Sequence, residues 1–556
     1  MAKKIGDLLK DEGIIDDDMV NYALQVQKAT KERLGDTLLK LNFVTDSEIA
    51  VILAKQANMA YEPLARVIPN KLALSQIPYN FSQKHEILPV AIKENRLQLV
   101  ITDPFDTKGL DQISRFTSMK YDLHVGPRGK TLRQIEQLYY LAEHPLDKDM
   151  DEIVKTVQAG KPFKAEKVVD IIIHTAIEVG ASDLHVTATG FATLVSYRID
   201  GVLKLVYTLP PQMHARIVST FKVESQMDIA ELNRPQDGRM SFEFLQQSYD
   251  MRVSCLPTSK GENLVLRILA GGQDILSLDD IGYLPEQLEV ISQALKNPYG
   301  MVLATGPTGS GKSTSLYGAL RRVNAMQKNV MTVEDPVEFQ MPLIRQVAVN
   351  VKAGITFSSA IRSFLRQDPD VVMVGEIRDE ETAILGVRAA QTGHLVLSTL
   401  HTNDAVGAIA RLRDLSVGNF MLASTLSCVL AQRLLRKLCD HCKESTRVAI
   451  GDKNYPEHMH GKTVYQHKGC DHCHGTGFLG RTAVCEVLSI DDPIKDMIDR
   501  DASALEIKEH ALKNGMISLR QAAFKLVEQG ITDLFEIDRV VKDEKRGTAS
   551  KQRIAA

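Results

Sequence analysis

The run Gly306-Pro307-Thr308-Gly309-Ser310-Gly311-Lys312-Ser313-Thr314 limits what this chain can fold into more than any other stretch. It follows an apolar run, Met301-Val302-Leu303-Ala304-Thr305, that reads as a buried strand. It leads into Ser313 to Leu320, which reads as a helix. Between a strand and a helix, such a glycine loop can turn its backbone amides towards phosphate oxygens, and the helix N-terminus adds positive potential there. Lys312 would reach the β- and γ-phosphates of a nucleoside triphosphate, and the Ser313 hydroxyl would ligate Mg²⁺.

The 556 residues leave room for three or four domains, each with its own core. The net charge of −3 and an isoelectric point of about 6.6 supply no basic field for a nucleic-acid duplex. No apolar stretch reaches the roughly 18 residues a membrane span needs. The start, Met1-Ala2-Lys3-Lys4-Ile5-Gly6-Asp7, lacks the apolar region of a signal peptide. A cytoplasmic chain is expected, peripheral to a membrane only through partners.

After Leu278-Asp279-Asp280-Ile281-Gly282, strands and helices alternate densely. Asn329 to Val333 reads as a strand delivering Glu334-Asp335-Pro336-Val337-Glu338 to a loop, and Asp370 to Val374 as one ending in Gly375-Glu376. A third, Leu395 to Leu400, lies between His394 and His401. Together with the strand before Gly306 these describe an open parallel sheet, which binds ligands at its carboxyl edge. Arg362 and Arg366, four apart, share a face if helical.

Cys439-x-x-Cys442 and Cys470-x-x-Cys473, 27 residues apart, can close a tetrahedral Zn²⁺ shell with no open position. A redox pair would need only one such motif and a thioredoxin-like context. His441, His472 and His474 would be surplus ligands, and Cys255, Cys428 and Cys485 read as core.

The N-terminus carries a repeat at an offset of 29: Lys4-Ile5-Gly6-Asp7 with Arg33-Leu34-Gly35-Asp36, Leu9 with Leu38, Leu24 with Leu53 and Gln27 with Gln56. Each copy reads as two helices about a turn at Gly13 or Asn42. Such hairpins can simply stack, or they can hold a ligand between them. The expected division is 1–57 helical repeats, 58–140 a small α/β unit, 141–162 a linker, and 163–277 a middle α/β domain bearing arginines. A linker at 278–289, a nucleotide domain at 290–487 with the cysteine insertion 439–473, helices over 488–545 and a tail at 546–556 complete it.

The boxes at Gly306–Thr314, Glu334–Glu338, Gly375-Glu376 and His394–His401 occur in the order seen in the secretion and type IV pilus assembly ATPase family, which the chain resembles over residues 1–545. The resemblance implies a RecA-like motor domain and a PAS-like middle domain. It implies Glu338 as general base or water positioner and Glu376 as the acid acting through Mg²⁺, with Glu334 and Asp335 as second choices. It implies Arg252 and Arg267 as cations for the transferring phosphoryl, worth roughly 10³–10⁵ in rate. Arg239, Arg362 and Arg366 are weaker candidates, and His394 and His401 either report phosphate state or are ordinary strand-end residues. One departure is Thr187-Ala188 where the family has Glu-Pro.

The repeats 4–27 and 33–56 resemble MshEN-type receptors for cyclic di-GMP. That implies contacts from Lys4, Ile5, Gly6, Asp7, Leu9, Leu24 and Gln27, and from Arg33, Leu34, Gly35, Asp36, Leu38, Leu53 and Gln56. Lys4-Ile5 stands where the family has Arg-Leu, and a lysine cannot make arginine's planar bidentate pair. The family implies a homo-hexamer at the inner face of the bacterial inner membrane. It would drive pilin or pseudopilin polymerisation through a platform protein, with a cytoplasmic ring protein as a further partner. A secretion motor without dinucleotide control, a nucleic-acid translocase and a non-enzymatic, nucleotide-bound scaffold are the competing readings.

Overall fold

The computed structural model describes residues 4–64, 70–144, 146–245, 247–269 and 275–542. The expected tail 546–556 lies outside them. The chain divides into two compact units, 1–45 with 275–556, and 46–274.

The first unit is built on a sheet in the order Arg345–Ala348, Val330–Glu334, Val371–Val374, Leu395–Leu400, Gly300–Thr305, Leu426–Leu438, Phe478–Ser489. All neighbours run parallel except the last pair. Gly300–Thr305 is buried throughout, as its apolar run requires of a strand covered on both faces. Alternation divides its side chains: Met301 and Leu303 enter one core cluster, Val302 and Ala304 the other.

Two expected boundaries dissolve into these cores. The stretch 278–289 is no linker: Leu278, Ile281 and Tyr283 are buried in the second cluster, and helix Pro285–Lys296 begins inside it. The helices after Ser489 do not stand apart either, since Ile494, Ile498 and Ile507 complete the first cluster. Helix Leu534–Val540 is tied to the sheet by charge. Glu536, fully buried, accepts bonds from Arg436 Nη2 at 2.8 Å, from the Arg436 amide at 2.9 Å and from Arg539 Nη2 at 2.6 Å. Burial alone would raise this carboxyl; the Arg539 and Arg436 bonds outweigh it and hold it below the usual range. Its contribution to stability is therefore present above the ordinary carboxylate range and lost as pH falls through the lowered value. Glu536→Ala leaves Arg436 buried without its carboxylate, and urea denaturation is expected to show a loss of about 3–5 kcal/mol.

The N-terminal repeat is visible in the backbone. Lys4 and Arg33 are both N-cap residues, at φ −70°, ψ 152° and φ −69°, ψ 147°, of helices Ile5–Asp11 and Leu34–Lys40. The turns fall at Gly13 (φ 70°) and Asn42 (φ 56°), 29 residues apart as the repeat requires. The hairpin Ile5–Asp11, Asp17–Thr30 and the helix Leu34–Lys40 belong to the first unit, whereas helix Asp46–Ala57 belongs to the second.

In the second unit a sheet ordered Ala60–Tyr61, Lys120–Val125, Arg96–Ile101, Ile87–Lys93 is backed by helix Arg128–Glu143. Asp46 caps that helix, accepting from the amides of Arg128 (3.0 Å) and Gly129 (2.6 Å). An antiparallel sheet follows, ordered Val202–Leu209, Thr193–Ile199, Asp183–Ala188, Gly261–Leu269, Gln247–Thr258, Gln236–Phe244. The expected linker 141–162 is mostly helix, Leu146–Gln158, whose Leu146, Met150 and Val157 are buried in this sheet's core. Its many acids hid an apolar stripe at helical spacing.

Candidate functional site

The glycine loop sits at the carboxyl end of Gly300–Thr305, with helix Lys312–Arg322 leaving it. Gly311 caps the helix in the left-handed region at φ 86°, and a Cβ there would lie 2.7 Å from Gln432 Nε2. Lys312 Nζ donates to the carbonyls of Gly306 (2.9 Å) and Pro307 (3.0 Å), curled over the loop that would hold phosphates. Burial pulls its pKa down and Arg433 adds to that, while Glu376 opposes it.

The acids arrive from neighbouring strand ends. Ser313 Oγ donates to Glu338 Oε1 at 3.4 Å, so the expected Mg²⁺ ligand and the expected base face each other. Glu376 pairs with Arg378 at 2.5 Å and lies 3.8 Å from His401 Nε2. Burial and the charge of Lys312 lower the pKa of His401, against the pull of Glu376, which favours a neutral imidazole there. Asp335 is exposed beside Arg378.

Three expectations do not survive the geometry. Glu334 points into the sheet, 4 % exposed, where it accepts from Tyr317 Oη, from Thr332 Oγ1 (2.7 Å) and from Gln346 Nε2 (3.2 Å); it is not placed to ligate Mg²⁺. His394 precedes strand Leu395–Leu400 while His401 follows it, so about 20 Å of strand separates them. Only the carboxyl ends of parallel strands converge on the loop, and His394 instead bonds the Ala389 carbonyl at 2.8 Å. Arg366 lies beyond the end of helix Phe357–Phe364, not on a shared helical face, and Arg362 pairs with Glu381.

Residues that sequence reading passed over stabilise the loop from behind. Gln432, 1 % exposed, donates to the Ser310 carbonyl at 2.9 Å and accepts from Tyr283 Oη and Ser315 Oγ, both at 2.7 Å. Arg433 donates to the Asn403 carbonyl at 2.9 Å, joining the segment after His401 to the strand beside the loop. Two consecutive polar residues interrupting the buried run Leu426–Leu438 were the available signal.

In the second unit the arginines form a row. Arg239 stands opposite Arg252, Arg252 opposite Arg267, Arg267 opposite Asp183, and Asp183 opposite Arg198. Directly opposed residues share a sheet face, so three expected cations line up. Buried Asp183 anchors the row, accepting from Arg267 Nε at 2.9 Å with Arg198 Nε at 3.6 Å.

The repeat residues keep partly matching environments within the first unit; Gly6 is buried and Asp7 exposed where Gly35 and Asp36 are both half-buried. Leu9 and Leu38 are fully buried, Lys4, Asp7 and Arg33 are exposed, and Gln27 Nε2 donates to the Glu32 carbonyl at 2.8 Å. Leu53 and Gln56 sit half-buried on Asp46–Ala57 in the second unit. The four paired cysteines converge within 4.8 Å. The Cys439–Cys470, Cys442–Cys473 and Cys470–Cys473 sulfurs are each 3.8 Å apart, the edge of a tetrahedron about a metal with bonds of about 2.3 Å. Amides of Cys470 and Gly477 donate to Cys473 Sγ, both at 3.1 Å, as a thiolate requires. His441 and His472 stack on each other at 3.9 Å.

Residues 159–539 match the Type II/IV secretion system protein family, and residues 57–145 match the MshEN domain. The second match falls on the four-stranded unit expected to be an adaptor, not on the helical repeats before it. A type IV pilus assembly ATPase PilB of Myxococcus xanthus is 35 % identical over 97 % of this chain and 98 % of its own length. A type II secretion system ATPase E of Vibrio cholerae is 42 % identical over 68 % of this chain and 75 % of its own. Among solved structures, the Legionella pneumophila ATPase DotB superposes with a TM-score of 0.50 at 20 % identity, over 67 % of this chain and 94 % of DotB, a likeness of fold. Among the described residues no helix is long and apolar enough to cross a membrane. With a phosphate loop, carboxylates of Glu338 and Glu376 beside its serine and lysine, and a match across most of its length, the chain belongs to the type II/IV secretion system protein family and is an ATPase of it.

Proposed function

We propose that this ATPase powers assembly of a type IV pilus under control of cyclic di-GMP. The observation that carries the catalytic part is the meeting of Lys312, Ser313, Glu338, Glu376 and His401 at one carboxyl edge. Pilus assembly rather than secretion is favoured because the pilus ATPase of Myxococcus xanthus aligns along 97 % of the chain, and the secretion ATPase of Vibrio cholerae along 68 %. The seven-stranded unit is read as a RecA-like motor and the six-stranded one as PAS-like, its arginine row supplying cations to the nucleotide. The motor works as a cytoplasmic homo-hexamer against an inner-membrane platform protein, with no duplex nucleic acid as partner. Ser313 and Glu376 hold Mg²⁺ and Glu338 orients the attacking water. The four thiolates hold a structural Zn²⁺, which supplies folding energy and no chemistry.

In a strain lacking this protein, the wild-type chain is expected to restore surface filaments and Lys312→Ala to restore none. Duplex DNA stimulating ATP turnover strongly would favour the translocase reading instead. For the receptor, labelled cyclic di-GMP titrated against the full chain is expected to bind about tenfold or more weakly to Arg33→Ala, the loss of a charge-assisted hydrogen bond. Equal binding removes Arg33 from the site.

A further inference from the structure

The segment from Glu338 to Met341 belongs to no helix or strand, yet it carries the acid proposed to orient the water. Side chains hold it instead. Tyr317 Oη accepts from the amides of Glu338 and Phe339, both at 3.2 Å, and donates to Glu334 Oε2. One donor and two acceptor sites are thereby all used. Gln346 closes the far side, donating to the Phe339 carbonyl at 2.8 Å and accepting from the Met341 amide at 2.7 Å. Both Tyr317 and Gln346 end on the same carboxylate, Glu334.

Tyr317 is itself rigidly placed. It is 1 % exposed, its ring meets Phe339 edge-on at 5.1 Å, and it sits one turn beyond Ser313 on the helix that leaves the phosphate loop. Burial and the bond to Glu334 push its phenol well above the usual range, so it remains a donor to that carboxylate. A buried carboxylate is costly unless its oxygens are satisfied, and here the three donors that satisfy Glu334 include both groups that fix the loop.

We propose that Tyr317, held by Glu334, is a positioning residue that sets Glu338 against Ser313, so that helix and acid move as one piece. This rests on Glu338 being the acid that orients water. Tyr317→Phe keeps the ring and removes the hydroxyl. Full-length protein with this change is expected to lose about 10–100-fold in kcat, the cost of a misplacement of about 1 Å. Affinity for a fluorescent ATP analogue should stay within about twofold, because Lys312 and the loop amides are untouched. In a Glu338→Gln background the same change should alter kcat by less than about twofold, since the group it positions is already disabled. Gln346→Ala, at the sheet edge, carries the same expectation should Tyr317→Phe fold poorly. Wild-type kcat in both variants, or a loss that multiplies through in the double variant, overturns the proposal while leaving Glu338 in its role. Wild-type turnover in Glu338→Gln overturns the role and the proposal together.

Discussion

Glu338→Gln is expected to slow ATP turnover by about 10²–10⁴-fold in single-turnover measurements, with Mg²⁺-ATP affinity within about threefold of wild type. Glu338 meets Ser313 Oγ at 3.4 Å, and the amide keeps the shape of the acid while removing its charge. A residue that orients water acts in the transition state more than in the ground state, so the loss belongs in kcat. Glu376→Gln should behave differently. Its carboxylate sits among Lys312, Arg378 and His401, and losing it removes the negative charge proposed to hold a hydrated Mg²⁺. Its defect should therefore appear as weaker Mg²⁺-dependent binding as well as slower turnover, and rising Mg²⁺ should recover part of it. Were Glu338→Gln to weaken binding and leave kcat intact, the two acids would have to exchange roles.

What could be read from the sequence was whatever is local or periodic. Gly306 to Ser313 carries its own conformation, and apolar runs such as Val371–Val374 are strands because nothing else buries them on both faces. Acids at the ends of such runs could be placed at one edge once the sheet was taken as parallel. His394 precedes its strand, so in a parallel sheet chain order already puts it at the amino edge, away from the loop; only a residue that follows the strand, such as His401, reaches the carboxyl edge. Glu334 was misread because an acid at a strand end looks like a ligand until Tyr317, Thr332 and Gln346 are seen around it. The stretches 141–162 and 278–289 looked like linkers because their polar residues outnumber the few, such as Met150 and Tyr283, that are buried. Gln432 and Asp183 act through partners more than 80 residues away, and no local pattern encodes that separation.

Loss of the metal is expected to act locally. Strand Leu426–Leu438 passes the phosphate loop at Ala431, opposite Thr305, and runs on to Cys439. Eight residues of strand place the sulfurs about 25 Å from that edge, so the cluster holds the far end of a long hairpin rather than the catalytic groups. The insertion packs Val448, Met459 and Val464 against Ala523, Val527 and Ile537 of the C-terminal helices, a small core with little apolar surface to spare. Small zinc modules draw roughly 10–16 kcal/mol of apparent folding energy from the ion. Here most of the chain folds without that contribution, so the expected loss is local. Wild-type protein should contain one Zn²⁺ per chain, and Cys470→Ser should contain much less. That variant should melt several degrees lower, and protease should cut it first between 440 and 470. Its affinity for ATP should be unchanged, because Gln432 and Tyr283 still back the loop. Metal content equal to wild type in Cys470→Ser would show that the four sulfurs are not the ligands. Lost ATP affinity with intact stability would mean that the cluster reaches the phosphate loop through the strand after all.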